Sequence, residues 1–193
     1  MNKQENLINQ LSDREILLNL YVTQIIMLLL AFLFGLFLFD DWSSFIALFT
    51  WDLKQILLIG GGVAMVVVLV EIVLAKVLPD HWLDDGGINE RVFAKRGMFH
   101  IAIIAAVVAV AEEILFRGVL QTHIGWIPAS LLFAFIHFRY LSKVVLFTVV
   151  VVVSLLLGWI FLLTGNLLVT IMAHFLIDFI LGLNIALQSR QKG

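Results

Sequence analysis

The sequence predicts an all-α, polytopic membrane protein with about six transmembrane helices, one of them short or tilted. Two observations carry that reading. Of the 193 residues, 62% are hydrophobic and the mean hydropathy is +1.08, against roughly 45–50% apolar residues in soluble domains. Water is therefore not the main solvent of this chain. The apolar residues also come in unbroken runs that do not alternate, which suits helices pairing their backbone internally and argues against a closed β-barrel. A formal net charge of −2 offers no basic field for nucleic acid, and the absence of cysteine removes disulfides and thiolate–metal chemistry.

The first apolar stretch, Ile16 to Phe39, carries no charge and is long enough to cross about 30 Å of hydrocarbon at about 1.5 Å per residue. It ends in the bulky "FLFDDW" and lacks a small-residue cleavage site, so it reads as a retained anchor and not as a secretory signal. Residues 40–54 mix charges with Trp42, Phe45, Phe49 and Trp51 and read as an interfacial segment on the outer side. A second span, 55–78, opens with Gly60, Gly61 and Gly62, which permit close helix packing. The polar loop 79–97 turns at Gly86-Gly87. Further spans follow at 98–121, 126–139, 143–163 and 166–187, of which 126–139 is the short one. The valine-rich run 144–157 would favour a strand in water, but in lipid a lone strand leaves its backbone unpaired, so helix is expected. The chain reads as a single membrane domain, 1–193. Within it, 1–97 supply the N-terminal spans, interfacial segment and loop, and 98–187 form a core that carries most of the buried polar groups.

The basic residues set the expected orientation. Lys3, Arg14, Lys76, Arg91, Lys95, Arg96, Arg139, Lys143, Arg190 and Lys192 fall on one side of the six-span arrangement and only Lys54 on the other. The positive-inside rule then places both termini and the 79–97 loop in the cytoplasm, with the plasma (inner) membrane as the expected location.

Ionisable residues at membrane depth cost at least about 2.5–3.5 kcal/mol each on insertion scales, so a cluster of them asks for a function. Here the cluster comprises Glu71, Glu112, Glu113, Arg117, His137, His174 and Asp178. In "AEEILFRG" Glu113 stands four residues before Arg117, the favourable order for an acid and a base on one helix face. Glu112 is rotated by about 100° from its neighbour, so it lacks that partner and is left available as a general base. Phe133 and His137 share a face in "FAFIH", as do His174 and Asp178 in "HFLID", and opposed helix directions bring Glu112, His137 and His174 to similar depth. Glu71, followed by Lys76, is expected to form an interior pair or to snorkel. His81 and His123 fall at span ends, Asn166 is expected to cap a helix start, and Asn184 to hydrogen-bond within the bundle.

These three motifs, in this order, resemble the CAAX protease and bacteriocin-processing (Abi) family of glutamate intramembrane proteases, whose pattern is EExxxR, FxxxH and HxxxN or HxxxD. The resemblance covers residues 98 to about 187. It implies that Glu112, with His137, activates a water for attack on a peptide carbonyl, that Glu113 and Arg117 are a supporting pair, and that His174 helps stabilise the oxyanion. Phe133 takes the aromatic packing position. Asp178 stands where the prenyl-protein endopeptidases carry Asn, and an ionised carboxylate cannot donate to an oxyanion. It would instead orient His174, donate while protonated, or help hold a cation.

The expected substrate is a membrane-associated protein or peptide in the lipid bilayer, and no cofactor is expected. A zinc ion held by the two His and two carboxylates is the alternative within the same site. A non-enzymatic scaffold or proton/ion relay is the alternative outside enzymology. The sequence has no HExxH zinc pair, no GxGD or YD aspartyl pair, and no Gly-flanked serine opposite a histidine.

Overall fold

The structure, a computed structural model, describes residues 10–192. Lys3 and the expected placement of the N-terminus lie outside the described residues, as does Gly193. Among the described residues every regular element is helical.

Helix α1, Asp13–Leu38, begins at a capping box. Ser12 Oγ accepts from the Glu15 amide at 3.3 Å, and the Glu15 carboxylate accepts from the Ser12 amide at 2.7 Å. A short interfacial helix, α2 (Trp42–Ile46), is capped by Asp41, which accepts from Ser44 N at 2.9 Å. Then come α3 (Gln55–Val77), the small loop helices α4 (Asp80–Leu83) and α5 (Ile88–Phe93), and α6 (Met98–Ile124). The 11-residue α7, Trp126–Ile136, is followed by α8 (Val144–Thr164) and α9 (Leu167–Lys192). Five of these, α1, α3, α6, α8 and α9, are long and apolar enough to cross a membrane, and α7 is the short span that the sequence predicts.

Packing ranks the helices. Half of the most apolar window of α6 is buried, against 22% of that of α1, so α6 is the central helix and α1 a peripheral one. Helix α9 packs on α6, α3 and α8, and α1 packs on α6. The outer face of α1 carries exposed Phe37, Leu18 and Ile25, as lipid contact requires.

The chain reverses between α8 and α9 in one tight turn. Gly165 adopts the left-handed conformation, φ +59°, that favours glycine. Asn166 then caps α9 through its carbonyl, accepting from Leu168 N at 3.1 Å, as expected. Its amide also donates to Thr50 O at 2.8 Å, which ties the interfacial segment to this turn. At the opposite end Asp13 binds Arg91 at 2.9 Å and Lys95 at 3.2 Å, and Arg190 donates to the Arg96 carbonyl at 3.2 Å. Arg91, Lys95, Arg96 and Arg190 thus gather at one end of the bundle.

Two expectations need correction. Of the three adjacent glycines only Gly60 is needed for close approach, since a Cβ there would stand 2.7 Å from Val169 O, whereas Gly61 and Gly62 face open space. Asn184 is exposed and bonds within its own helix, to Gln188 at 3.3 Å, because it lies on the outward face of α9, whose other face still packs through Gly182 and Ala186.

An equally tight approach lies between α7 and α8. A Cβ on Gly158 would stand 2.7 Å from Trp126 Cδ1, 2.8 Å from Gln121 Oε1 and 2.9 Å from Ser130 Oγ. We therefore expect Gly158→Ala to cost about 1–3 kcal/mol through overpacking, with Gly62→Ala neutral or slightly stabilising because it relieves helical glycine entropy. Thermal unfolding in detergent distinguishes the two. Equal melting temperatures would refute the close packing.

Candidate active site

The polar cluster is assembled where α6, α7 and α9 meet. The α-helical part of α6 ends at Glu113, and residues Ile114–Gln121 are wound as a π-helix, a form that concentrates at functional sites. The wider turn carries Arg117 and Gln121 towards α8. There Arg117 Nη2 donates to Ser154 O at 3.0 Å and to Ser154 Oγ at 3.1 Å, and Gln121 Nε2 donates to Gly158 O at 2.6 Å. Four residues separate both the donors and the acceptors, so the two helices are joined at successive turns.

Arg117 is 1% exposed and Glu113 is fully buried. They pair as expected, Nη1 to Oε1 at 3.2 Å. The guanidinium also lies 4.7 Å from the centre of the Phe133 ring, a cation–π contact. Phe133, expected to be a packing residue, forms the shared wall of the site: its ring lies 5.1 Å from that of Phe116, 4.8 Å from His137 and 6.2 Å from His174.

Glu113 has a second partner. His174 Nδ1 lies 2.9 Å from its Oε1. A carboxylate only accepts, so the imidazole carries a proton on Nδ1. Nε2 then faces Glu112 Oε2 at 4.0 Å and Asp178 Oδ2 at 3.6 Å. His137 is fixed in the same sense. It sits just beyond the last turn of α7, where the backbone leaves helical geometry, and its Nδ1 donates to Phe133 O at 2.8 Å, which leaves Nε2 with a lone pair.

Glu112 is 5% exposed and takes no part in the Arg117 pair, as its helical rotation predicts. It opens on a cavity of about 570 Å³ that His137, His174 and Asp178 also line. All four residues expected to be catalytic therefore share one cavity. Asp178, in the Asn position of the motif, is in place to orient His174. Among the described residues no three His, Asp or Glu side chains converge in a way that could hold a metal ion.

Other residues belong to the site without having been expected there. Glu71 lines the same cavity and makes no ion pair with Lys76. Five residues along a helix is well over one turn, so the two side chains point apart. Gln24 on α1 is 4% exposed and donates to Glu112 Oε1 at 3.4 Å. Ser154, Ser130 and Gln121 hold the arginine end. Each is a polar side chain inside an apolar run, the signal that also marks the acids, but uncharged groups are common enough in spans for the signal to be weaker. His123 and His81 are exposed near helix ends, as expected.

If the buried pair holds the site, Arg117→Gln strands the Glu113 carboxylate and costs about 3–5 kcal/mol. Adding Glu113→Gln recovers part of that loss. Detergent unfolding of the single and double variants measures both, and an unchanged single variant would remove the pair from the account.

Residues 94–180 match the family model described as type II CAAX prenyl endopeptidase Rce1-like. The chain is 46% identical over 159 residues to the uncharacterized protein YpbD of Bacillus subtilis (strain 168), covering 81% of this chain and 83% of that protein. No solved structure matches it.

Proposed function

Since the chain belongs to the Rce1-like family of type II CAAX prenyl endopeptidases, we propose that it is an intramembrane endopeptidase in which Glu112 is the general base. The observation that carries this reading is the free carboxylate itself. Glu112 is spared by the Arg117 pair, lies 4.0 Å from His174 Nε2, and borders a cavity of about 570 Å³. That gap is too wide for a direct hydrogen bond and leaves the carboxylate facing the cavity.

In this mechanism a water bound between Glu112 and His137 gives a proton to Glu112 while its oxygen attacks the carbonyl carbon of the scissile peptide. The C=O electron pair moves onto oxygen. His174, protonated at Nδ1 toward Glu113 and at Nε2 toward Asp178, donates its Nε2–H to that developing charge, and Asp178 keeps the imidazolium oriented. Collapse of the tetrahedral species breaks the C–N bond, and the proton on Glu112 passes to the leaving amine. No metal is called on at any step. The substrate is a membrane-associated protein or peptide. The basic end of the bundle faces the cytoplasm of an inner membrane, so the polypeptide enters from that side.

Glu112→Gln is nearly isosteric and removes the base. We expect it to lower turnover by about 10²–10⁴-fold, with His137→Ala and His174→Ala also impaired. The measurement is a comparison of membrane-proteome termini between wild-type and Glu112→Gln cells, which also identifies the substrate. Termini indistinguishable between the two would sink the proteolytic reading and leave a proton relay through the same side chains. Turnover that survives exhaustive chelation separates the metal-free mechanism from a zinc-dependent one.

A further inference from the structure

Helix α1 lies outside the residues matched by the family, 94–180, yet it sends one polar side chain into the site. Its buried residues are Ile16, Gln24, Ala31 and Gly35, spaced along a single face that packs on α6. Three of the four are apolar or small. A leucine at position 24 would insert and pack without difficulty, so an amide there must be offset by what it touches. It touches Glu112 Oε1, at 3.4 Å.

We propose that Gln24 is a positioning residue that holds the Glu112 carboxyl in both of its protonation states. The proposal rests on Glu112 being the general base. While Glu112 is ionised it can only accept, and Gln24 Nε2 donates to it. Once Oε2 has taken a proton from water, Oε1 remains a carbonyl oxygen that still accepts from Nε2, so one donor serves both states. A lysine or arginine would favour the carboxylate alone, and a methionine would serve neither state. By fixing Oε1, the amide keeps Oε2 directed at His174 Nε2, 4.0 Å away.

The test uses the full-length chain in detergent and a quenched-fluorophore peptide built on the cleavage site recovered from the terminal comparison. Gln24→Met keeps the side-chain length but offers neither donor nor acceptor. We expect kcat to fall by about tenfold to a hundredfold, the worth of one charge-assisted hydrogen bond, with KM within about twofold and an unchanged melting temperature. A merely structural role would lower the melting temperature and spare kcat, and full kcat in this variant overturns the proposal. If Gln24→Met does not accumulate, Gln24→Leu carries the test: it packs in the same space but has no donor for Glu112, so kcat must fall, and wild-type kcat is again fatal.

Glu112→Gln separates the two levels of the argument. If it cleaves at the wild-type rate, the general-base reading fails. If it is inactive while Gln24→Met is fully active, only the positioning role fails. The juxtaposition can also be read without activity, because the chain contains no cysteine. Gln24→Cys/Glu112→Cys should be joined in native membranes by a short bifunctional thiol reagent, and no cross-link would overturn the contact.

Discussion

The buried pair of Glu113 and Arg117 is the constraint on which the rest of this structure depends. A guanidinium and a carboxylate removed from both water and lipid are tolerable only while each offsets the charge of the other, all the more because Glu113 Oε2 and Arg117 Nη1 have no hydrogen-bond partner. That requirement reaches beyond α6. Arg117 draws the Ser154 carbonyl of α8 and the Phe133 ring of α7 to itself, and Glu113 fixes His174 of α9 at 2.9 Å. Four helices are thereby set in register by one pair of charges. Glu113 also holds Nδ1 of His174, and so decides which ring nitrogen faces the cavity.

The pair explains why two adjacent acids have different fates. Neighbouring side chains on a helix diverge by about 100°, so an arginine that neutralises one cannot reach the other equally well. Neutralising Glu113 leaves Glu112 as a carboxylate whose environment is supplied by other helices. The division of labour follows from backbone geometry, and it needs no difference in the chemistry of the two residues.

Much of this could be read from the sequence. Ionisable groups in lipid are costly enough that Glu112, Glu113, Arg117, His137, His174 and Asp178 stand out from any apolar run, and four-residue spacings order them on faces. The spans follow from hydropathy and length, including the short one at 126. Other features were not legible. The π-helical winding of Ile114–Gln121 leaves no mark in residue type, because it arises from the fit of Arg117 and Gln121 against α8. Glu71, close to Lys76 in sequence, reads as an interior pair or a snorkelling residue, whereas its helical phase turns it to the cavity. Gln24 carries no charge, and its partner lies 88 residues further along the chain. Contacts between distant segments are set by how helices pack, which a single sequence does not specify.

Helix α7 has 11 residues, about 16 Å at helical rise, roughly half of what hydrocarbon demands. Beyond it the backbone of residues 137–143 runs without a regular membrane-length helix. Ending that early, α7 leaves Phe138, Arg139 and Tyr140 to line the cavity beside His137. The stretch that a full-length span would have spent crossing oil is spent instead on furnishing the chamber wall with a cation and a phenol.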